Sequence, residues 1–299
     1  MVYRHLIVTA LFFLSRKQKI RLERWLRGRE EYLRLQRASW VLVSWGKSGR
    51  TWLRVMLSRY YQLRFGLAKT ELLDFDNLHR NNPAVPSVLF THDNYLRDYT
   101  GNRHAKSYFE HKKIVLLVRD PRDVAVSQFF QWKFRMRPHK KMINDYPAHE
   151  TAITPFQFVM NNTVGLPRII DYFNSWVETL NRRDDVLLVR YEDVRARPAE
   201  ILSRIVEFTG APGTQQDILE AVQFAAFDNM KNLEHKRFFK NSGTRVKPGD
   251  RRNPESFKVR RAKVGGYRDY FDEEQSRQLQ ELMNKLDPLF GYSPPNPKA

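Results

Sequence analysis

The chain reads as an α/β protein with a central parallel sheet flanked by helices, and three observations predict it. Four short apolar runs, Trp40–Ser44, Val88–Thr91, residues 114–119 and Val186–Arg190, are too short for helices. They are rich in Val, Leu or Ile, as strands buried on both faces must be. Longer stretches of helical periodicity separate them, which is the signature of βαβ units. The 299 residues, 41% hydrophobic and 28% charged, suffice for one well-filled core and exclude disorder for most of the chain.

Taken in order, the first feature is an apolar run from Leu6 to Leu14, framed by Arg4 and Arg16. A membrane-spanning helix needs about 20 residues, so this run is too short to be one, and no small-residue cleavage site follows it. Residues 16–37 are strongly basic. An apolar segment leading into a basic helix predicts either an interfacial anchor on anionic lipid or a helix packed on its own domain, and packing is preferred. The chain therefore divides into a basic helical extension, 1–37, and one domain, 38–299.

Within that domain the first strand leads into a helix over 51–65, which puts Trp52, Met56 and Tyr60 on one face. Pro121 suits the opening of a helix over 122–135. Pro167 and Pro198 do the same for 168–181 and 199–209, the latter closing at Gly210. Stretches 137–154 and 241–261, rich in charge and in Gly, Pro or Asn, read as functional loops.

Lys and Arg number 52 against 33 Asp and Glu, a net charge of +19. A surplus of that size predicts an anionic partner: nucleic acid, a membrane surface, a sulfated or phosphorylated polymer, or a nucleotide cofactor. The chain has no cysteine, which excludes a disulfide framework, a thiolate metal site and a cysteine nucleophile. That composition suits a reducing cytoplasm.

The most informative segment is Val41-Leu42-Val43-Ser44-Trp45-Gly46-Lys47-Ser48-Gly49-Arg50-Thr51-Trp52, a buried strand running through a small-residue turn into a helix. Such a turn converges backbone N–H groups on the positive end of a helix. Lys47 adds a full charge, and Ser48 and Thr51 add hydroxyl donors, so the segment is built for phosphate. It is no Walker A loop, because Gly would be needed at position 41, where Val41 stands; a nucleoside triphosphatase is disfavoured.

The turn resembles the 5′-phosphosulfate loop, P-K-S-G-T-T-W, of the sulfotransferases that use 3′-phosphoadenosine 5′-phosphosulfate (PAPS). Gly46 replaces the Pro and Arg50 the first Thr. Val118-Arg119-Asp120-Pro121-Arg122-Asp123-Val124-Ala125-Val126-Ser127 is similar to the family's 3′-phosphate motif, R-[ND]-P-x-D-x-x-x-S. The resemblance implies that Lys47, Ser48, Gly49, Arg50 and Thr51 hold the phosphosulfate, and Arg119 and Ser127 the 3′-phosphate. Tyr191, in Tyr191-Glu192-Asp193, approaches the adenine, with Trp52, Phe227 and Met230 around the ring. Arg260 and Arg261 take the paired basic positions of the segment that covers the cofactor, where Ala262 replaces a Gly.

His92, in Thr91-His92-Asp93, aligns with the family's K-T-H-L-P and is implied as the general base, with Phe90 where the family often has lysine. An unperturbed imidazole suits base work near neutrality. Lys47 is expected to neutralise the leaving group, and no metal is expected. Together these imply a single-domain, three-layer, P-loop-like fold that moves sulfuryl from PAPS to a hydroxyl and releases adenosine 3′,5′-bisphosphate (PAP). Loops 93–111 and 137–154 are expected to form the acceptor pocket. The acceptor is expected to be a carbohydrate or lipid-linked hydroxyl, on a glycan or a lipid headgroup, and nucleic acid is not expected. A cytoplasmic protein, peripheral at the inner membrane surface, follows from the basic extension. Two rivals stay open: an ATP-dependent phosphotransferase, and a non-enzymatic polyanion-binding module.

Overall fold

The computed structural model describes residues 11, 13–101, 106–240, 242–243 and 245–292; most of the apolar run at 6–14 lies outside them. Four strands, β1 (Trp40–Ser44), β2 (Val88–Thr91), β3 (Lys113–Val118) and β4 (Val186–Arg190), form one sheet in the order β2-β1-β3-β4. Every pairing is parallel. β3 starts one residue earlier than its apolar run and ends at Val118, so Arg119 stands just beyond the strand.

Alternation along the strands separates two apolar layers. Trp40 and Leu42 join Val115, Leu117, Leu187 and Val189 against α2 (Arg50–Arg64). Val41 and Val43 join Ile114, Leu116 and Val118 on the opposite face, against α4 (Pro121–Phe134), α6 (Leu166–Asn174) and α12 (Glu273–Met283). Both faces are covered, as an all-parallel sheet requires. The remaining helices that frame the site are α1 (Arg16–Arg37), α3 (Asn94–Thr100), α5 (Pro138–Ile143), α7 (Val177–Arg182), α8 (Tyr191–Ala196), α9 (Pro198–Phe208), α10 (Gln215–Phe224) and α11 (Phe227–Lys236).

Two expectations need adjusting. The helix expected over 168–181 is broken into α6 and α7: the Ser175 hydroxyl bonds back to the Tyr172 carbonyl at 2.7 Å, and Trp176 is buried at the joint. A side chain competing for a helix carbonyl is a recognised cause of such bends. The loop 137–154 contains α5, opened by Pro138, whereas the described residues of 241–261 hold a 3₁₀ turn, Pro254–Ser256, and no α-helix or strand.

α1 is packed onto the domain. Ser15 and Gln18 form a capping box at its start, and Leu35 is fully buried near its end. A Cβ at Gly28 would lie 2.1 Å from the Tyr95 carbonyl oxygen, so the absence of a side chain there lets α1 and α3 touch backbone to backbone. Arg24 pairs with Asp98 across the same crossing at 2.7 Å. Among the described residues, no helix is long and apolar enough to cross a membrane.

Candidate active site

The carboxyl ends of the strands open into a cavity of about 1110 Å³. This is where open parallel sheets bind ligands, on either side of the point at which strand order reverses, here between β1 and β3. Its lining includes Lys47, His92, Arg119, Ser127, Tyr191 and Phe227, each from a different segment. Chain topology thus gathers onto one wall what the sequence spreads over 180 residues.

Leaving β1, the chain turns at Lys47 (φ 75°) and Gly49 (φ 93°) before α2 begins at Arg50. Gly49 is required twice: its backbone is left-handed, and a Cβ would stand 2.5 Å from the Tyr191 ring. Tyr191 in turn lies edge-on to Trp52, with centroids 5.8 Å apart, and beneath the Arg119 guanidinium at 4.4 Å. One buried tyrosine therefore fixes the turn and the second motif relative to each other. Ser48 is fully buried, and its hydroxyl has no protein partner; the Nε of Arg119 is buried without one as well. Unmet donors in this place fit an anionic ligand.

Lys47 carries the electrostatic signature of the site. Burial, then the fields of Lys258, Arg135, Arg119 and Arg260, push its amine well below the usual lysine range. Burial and Arg135 likewise bring Lys258 down to about 8. A protein tolerates so many converging cations where an anion is meant to lie among them.

Arg119 also donates to Asp123 (3.1 Å) and to the Lys263 carbonyl (3.0 Å). Asp123 accepts from the backbone of Gly265 and Tyr267, both at 2.9 Å, tying the C-terminal segment across the cavity. Ser127 lines the cavity one turn further along α4. Glu192 and Asp193 hold structure: Glu192 accepts from the Asp120 N–H and the Tyr292 hydroxyl, and Asp193 pairs with Arg190.

The C-terminal segment departs from expectation. Arg260 and Arg261 both line the cavity, but each is tied to a carboxylate: Arg260 to Glu255 at 2.8 Å, and the largely exposed Arg261 to Asp269 at 2.7 Å. Among the cations around Lys47, Lys258 acts on it most strongly. It is placed there by buried Glu234 of α11, which accepts the N–H groups of Lys258 and Val259 at 2.7 and 2.9 Å. Lys258, Arg135 and Arg245 were not singled out from sequence. Nothing local marks them; only the fold aims them inward. Ala262 keeps a left-handed backbone (φ 50°) where the family's glycine is replaced.

Around the proposed adenine position, the Trp52 indole N–H donates to the Ala225 carbonyl at 2.7 Å, which sets the ring plane. Met230 is buried and Phe227 half-buried on α11, and both line the cavity, as does Thr51.

His92 stands just beyond β2 and lines the cavity. Its Nδ1 lies 2.7 Å from the Ser44 carbonyl, which can only accept, so Nδ1 bears the proton and Nε2 the lone pair. Burial, then Arg50, lowers its pKa well below the usual histidine value. The following residue, Asp93, is fully buried and pairs with Lys106 at 2.6 Å and the Tyr108 hydroxyl at 2.5 Å, pinning the end of β2. Arg50 does not aim at the phosphate turn as expected. Its guanidinium donates to the Thr91 carbonyl at 2.7 Å and to His92 Nε2 at 2.5 Å. One turn on, Arg54 stacks over Phe90 at 3.5 Å.

A family model described as a sulfotransferase domain matches residues 38–289. Cytosolic sulfotransferase 17 of Arabidopsis thaliana is 24% identical over 281 residues, covering 86% of this chain and 76% of its own. Among solved structures, a mouse sulfotransferase complexed with PAP superimposes with a TM-score of 0.56 at 22% identity, covering 86% of this chain and 89% of that one. Retinol dehydratase in complex with retinol and PAP gives 0.57 at 19%, with coverages of 83% and 81%. The two superpositions support the three-layer α/β fold.

Proposed function

The chain belongs to the sulfotransferase family, and from that premise we infer that its cationic cavity binds PAPS and serves an acceptor hydroxyl. The observation that carries this reading is the convergence of Lys47, Lys258, Arg135, Arg119 and Arg260, with the unmet donors of Ser48 and Arg119 among them. Bound there, PAPS would supply a sulfuryl group. Ser48, Thr51 and the N–H groups at the start of α2 would hold its 5′ end, and Arg119 and Ser127 its 3′-phosphate. Trp52, Tyr191, Phe227 and Met230 would enclose the adenine, whose faces suit aromatic and sulfur contacts. Lys47 would offset the charge left on the departing phosphate, in a buried site where a fixed charge acts most strongly. His92 would take the acceptor's proton at Nε2.

Calorimetry with PAP tests the cofactor without knowledge of the acceptor. Measurable binding is expected, with Arg119→Ala weakening it by about 1.5–3 kcal/mol, the worth of a charge-assisted hydrogen bond. Preference for ATP with magnesium would favour a phosphotransferase instead. A uniform, salt-sensitive affinity for any polyanion, indifferent to Lys47→Met and Arg119→Ala, would favour the non-enzymatic module.

Binding is also expected to consume protons. In the free protein Lys258 gives up its proton near pH 8, and Lys47 is lowered too, whereas a bound dianion requires both charged. PAP affinity is therefore expected to fall as pH rises through 8 and beyond. Heats measured in buffers of different ionisation enthalpy should reveal net proton uptake there; no uptake would remove the assignment of these lysines to the anion site.

The acceptor end of the cavity is lined by Arg24, Tyr95, Arg97, Arg137, Lys140 and Tyr146. Aromatic and basic groups together suit a carbohydrate or lipid-linked hydroxyl. α1 supports peripheral contact with an anionic membrane: Lys17, Arg21, Trp25, Arg29, Leu33 and Arg37 recur every fourth residue and are all exposed. Reversing Lys17, Arg21 and Arg29 to Glu in the full chain is expected to abolish co-sedimentation with vesicles containing phosphatidylserine. Unchanged sedimentation would dismiss the membrane role.

A further inference from the structure

β2 supplies no cation of its own, running Val88-Leu89-Phe90-Thr91, yet a cation reaches the end of that strand. It comes from the facing helix. Arg50, the first residue of α2, bonds both the Thr91 carbonyl and the lone-pair nitrogen of His92. Burial lowers Arg50 to about 10, so below that pH the guanidinium keeps its protons, and the contact holds Nε2 as an acceptor and disfavours a charged ring. It also occupies the atom that an acceptor hydroxyl must reach.

A second group lies behind Arg50. Glu31 of α1 has one carboxylate oxygen shut away from water and without a hydrogen-bond partner. Its carboxylate supplies the strongest attraction acting on the Arg50 charge. Burial pushes Glu31 up to about 7. A buried, unmet carboxylate oxygen is costly unless something uses it.

We propose that Arg50 and Glu31 are positioning residues for His92: the guanidinium caps Nε2 in the resting site, and Glu31 holds it when an acceptor hydroxyl takes that place. The displacement half rests on His92 being the base; the capping half does not. The charged groups facing His92 are Arg50 from α2, Lys258 from the C-terminal segment and Lys140 from α5. Those facing Glu31 are Asp93 beyond β2, Arg50, and Arg34 on its own helix, with Tyr95 of α3 also within its field. α1, which precedes the matched domain, thus contributes to the reacting centre.

The test is a ¹⁵N-NMR titration of His92 in the full-length protein without PAP, with the resonance assigned by His92→Gln. The wild-type ring is expected to remain the neutral Nδ1–H form well below pH 6.5. Arg50→Met should raise its midpoint by about 1–3 pH units, and Arg50→Lys, which keeps the charge, should recover part of the shift. A midpoint unmoved by Arg50→Met would overturn the cap. The wild-type Nε2 signal should also inflect near pH 7 as Glu31 titrates, and Glu31→Gln should erase that inflection. This carries the test if Arg50→Met fails to fold. An inflection that is absent in the wild type, or that survives Glu31→Gln, would overturn the role of Glu31. Because PAP is omitted, calorimetry can fail for the cofactor while these couplings stand, and the reverse.

Discussion

Replacing His92 with Ala is expected to cut turnover by about 10²–10⁴-fold, the usual contribution of a positioned general base, while PAP binding stays within about twofold. The separation follows from geometry. The ring hangs just beyond the end of β2, with Nδ1 donating to Ser44, and the cavity-lining cations Lys47 and Lys258 come from other segments. Single-turnover rates and calorimetry on the same preparation check both halves; turnover within tenfold of wild type would remove the assignment of the base. The pH profile has a defined sign. Burial and Arg50 depress the His92 pKa, so the neutral, proton-accepting ring persists as pH falls. The acid limb of turnover is expected to lie below pH 6.5, the ordinary histidine value.

Lys47→Met should produce the second large effect, and in two directions. Turnover is expected to fall by about 10²–10³-fold, as when a preorganised charge at a departing anion is removed. Stability without PAP is expected to rise, because the substitution deletes a cation buried among Lys258, Arg135, Arg119 and Arg260. The sign can be checked through pH. Lys47 has its pKa lowered by folding, so in the range between its folded and unfolded values the unfolded chain holds the extra proton, and wild-type stability increases with pH there. The gain conferred by Lys47→Met should therefore shrink as pH is raised. Thermal melts across pH, with and without PAP, test this; a Lys47→Met protein less stable than wild type at neutral pH would contradict the picture of an anion-ready cradle.

Much of this was legible in the order of residues because the pieces are local. A strand of four to six apolar residues buried on both faces declares itself by composition, and three of the four strand ranges coincide with those observed. The turn from Gly46 to Trp52 and the Arg119–Ser127 motif each lie within ten residues or fewer, so their resemblance to the family's motifs is readable without the fold. Pro121 and Pro198 open α4 and α9 where their ring geometry suits the first helical turn.

The rest is decided between segments. Lys258 could not be preferred over Arg260 and Arg261 from spacing, because the choice is made by Glu234, 24 residues away in the chain, which draws the Lys258 backbone over the cavity. Arg50 sits inside the turn that resembles a phosphosulfate loop, yet its side chain goes to the end of the neighbouring strand, where the Thr91 carbonyl and His92 Nε2 accept from it. The helix 16–37 reads in sequence as a basic extension that either packs on the domain or lies on lipid; its crossing at Gly28 and its buried Leu35 show it packed. Sequence alone determined the elements, the position of the two motif segments and the surplus of positive charge, since periodicity, turn chemistry and net charge act over a few residues or over the whole chain at once. Tertiary structure alone decided which of many cations converge on Lys47 and how each is held there, because that depends on which buried acid or carbonyl lies within hydrogen-bond reach.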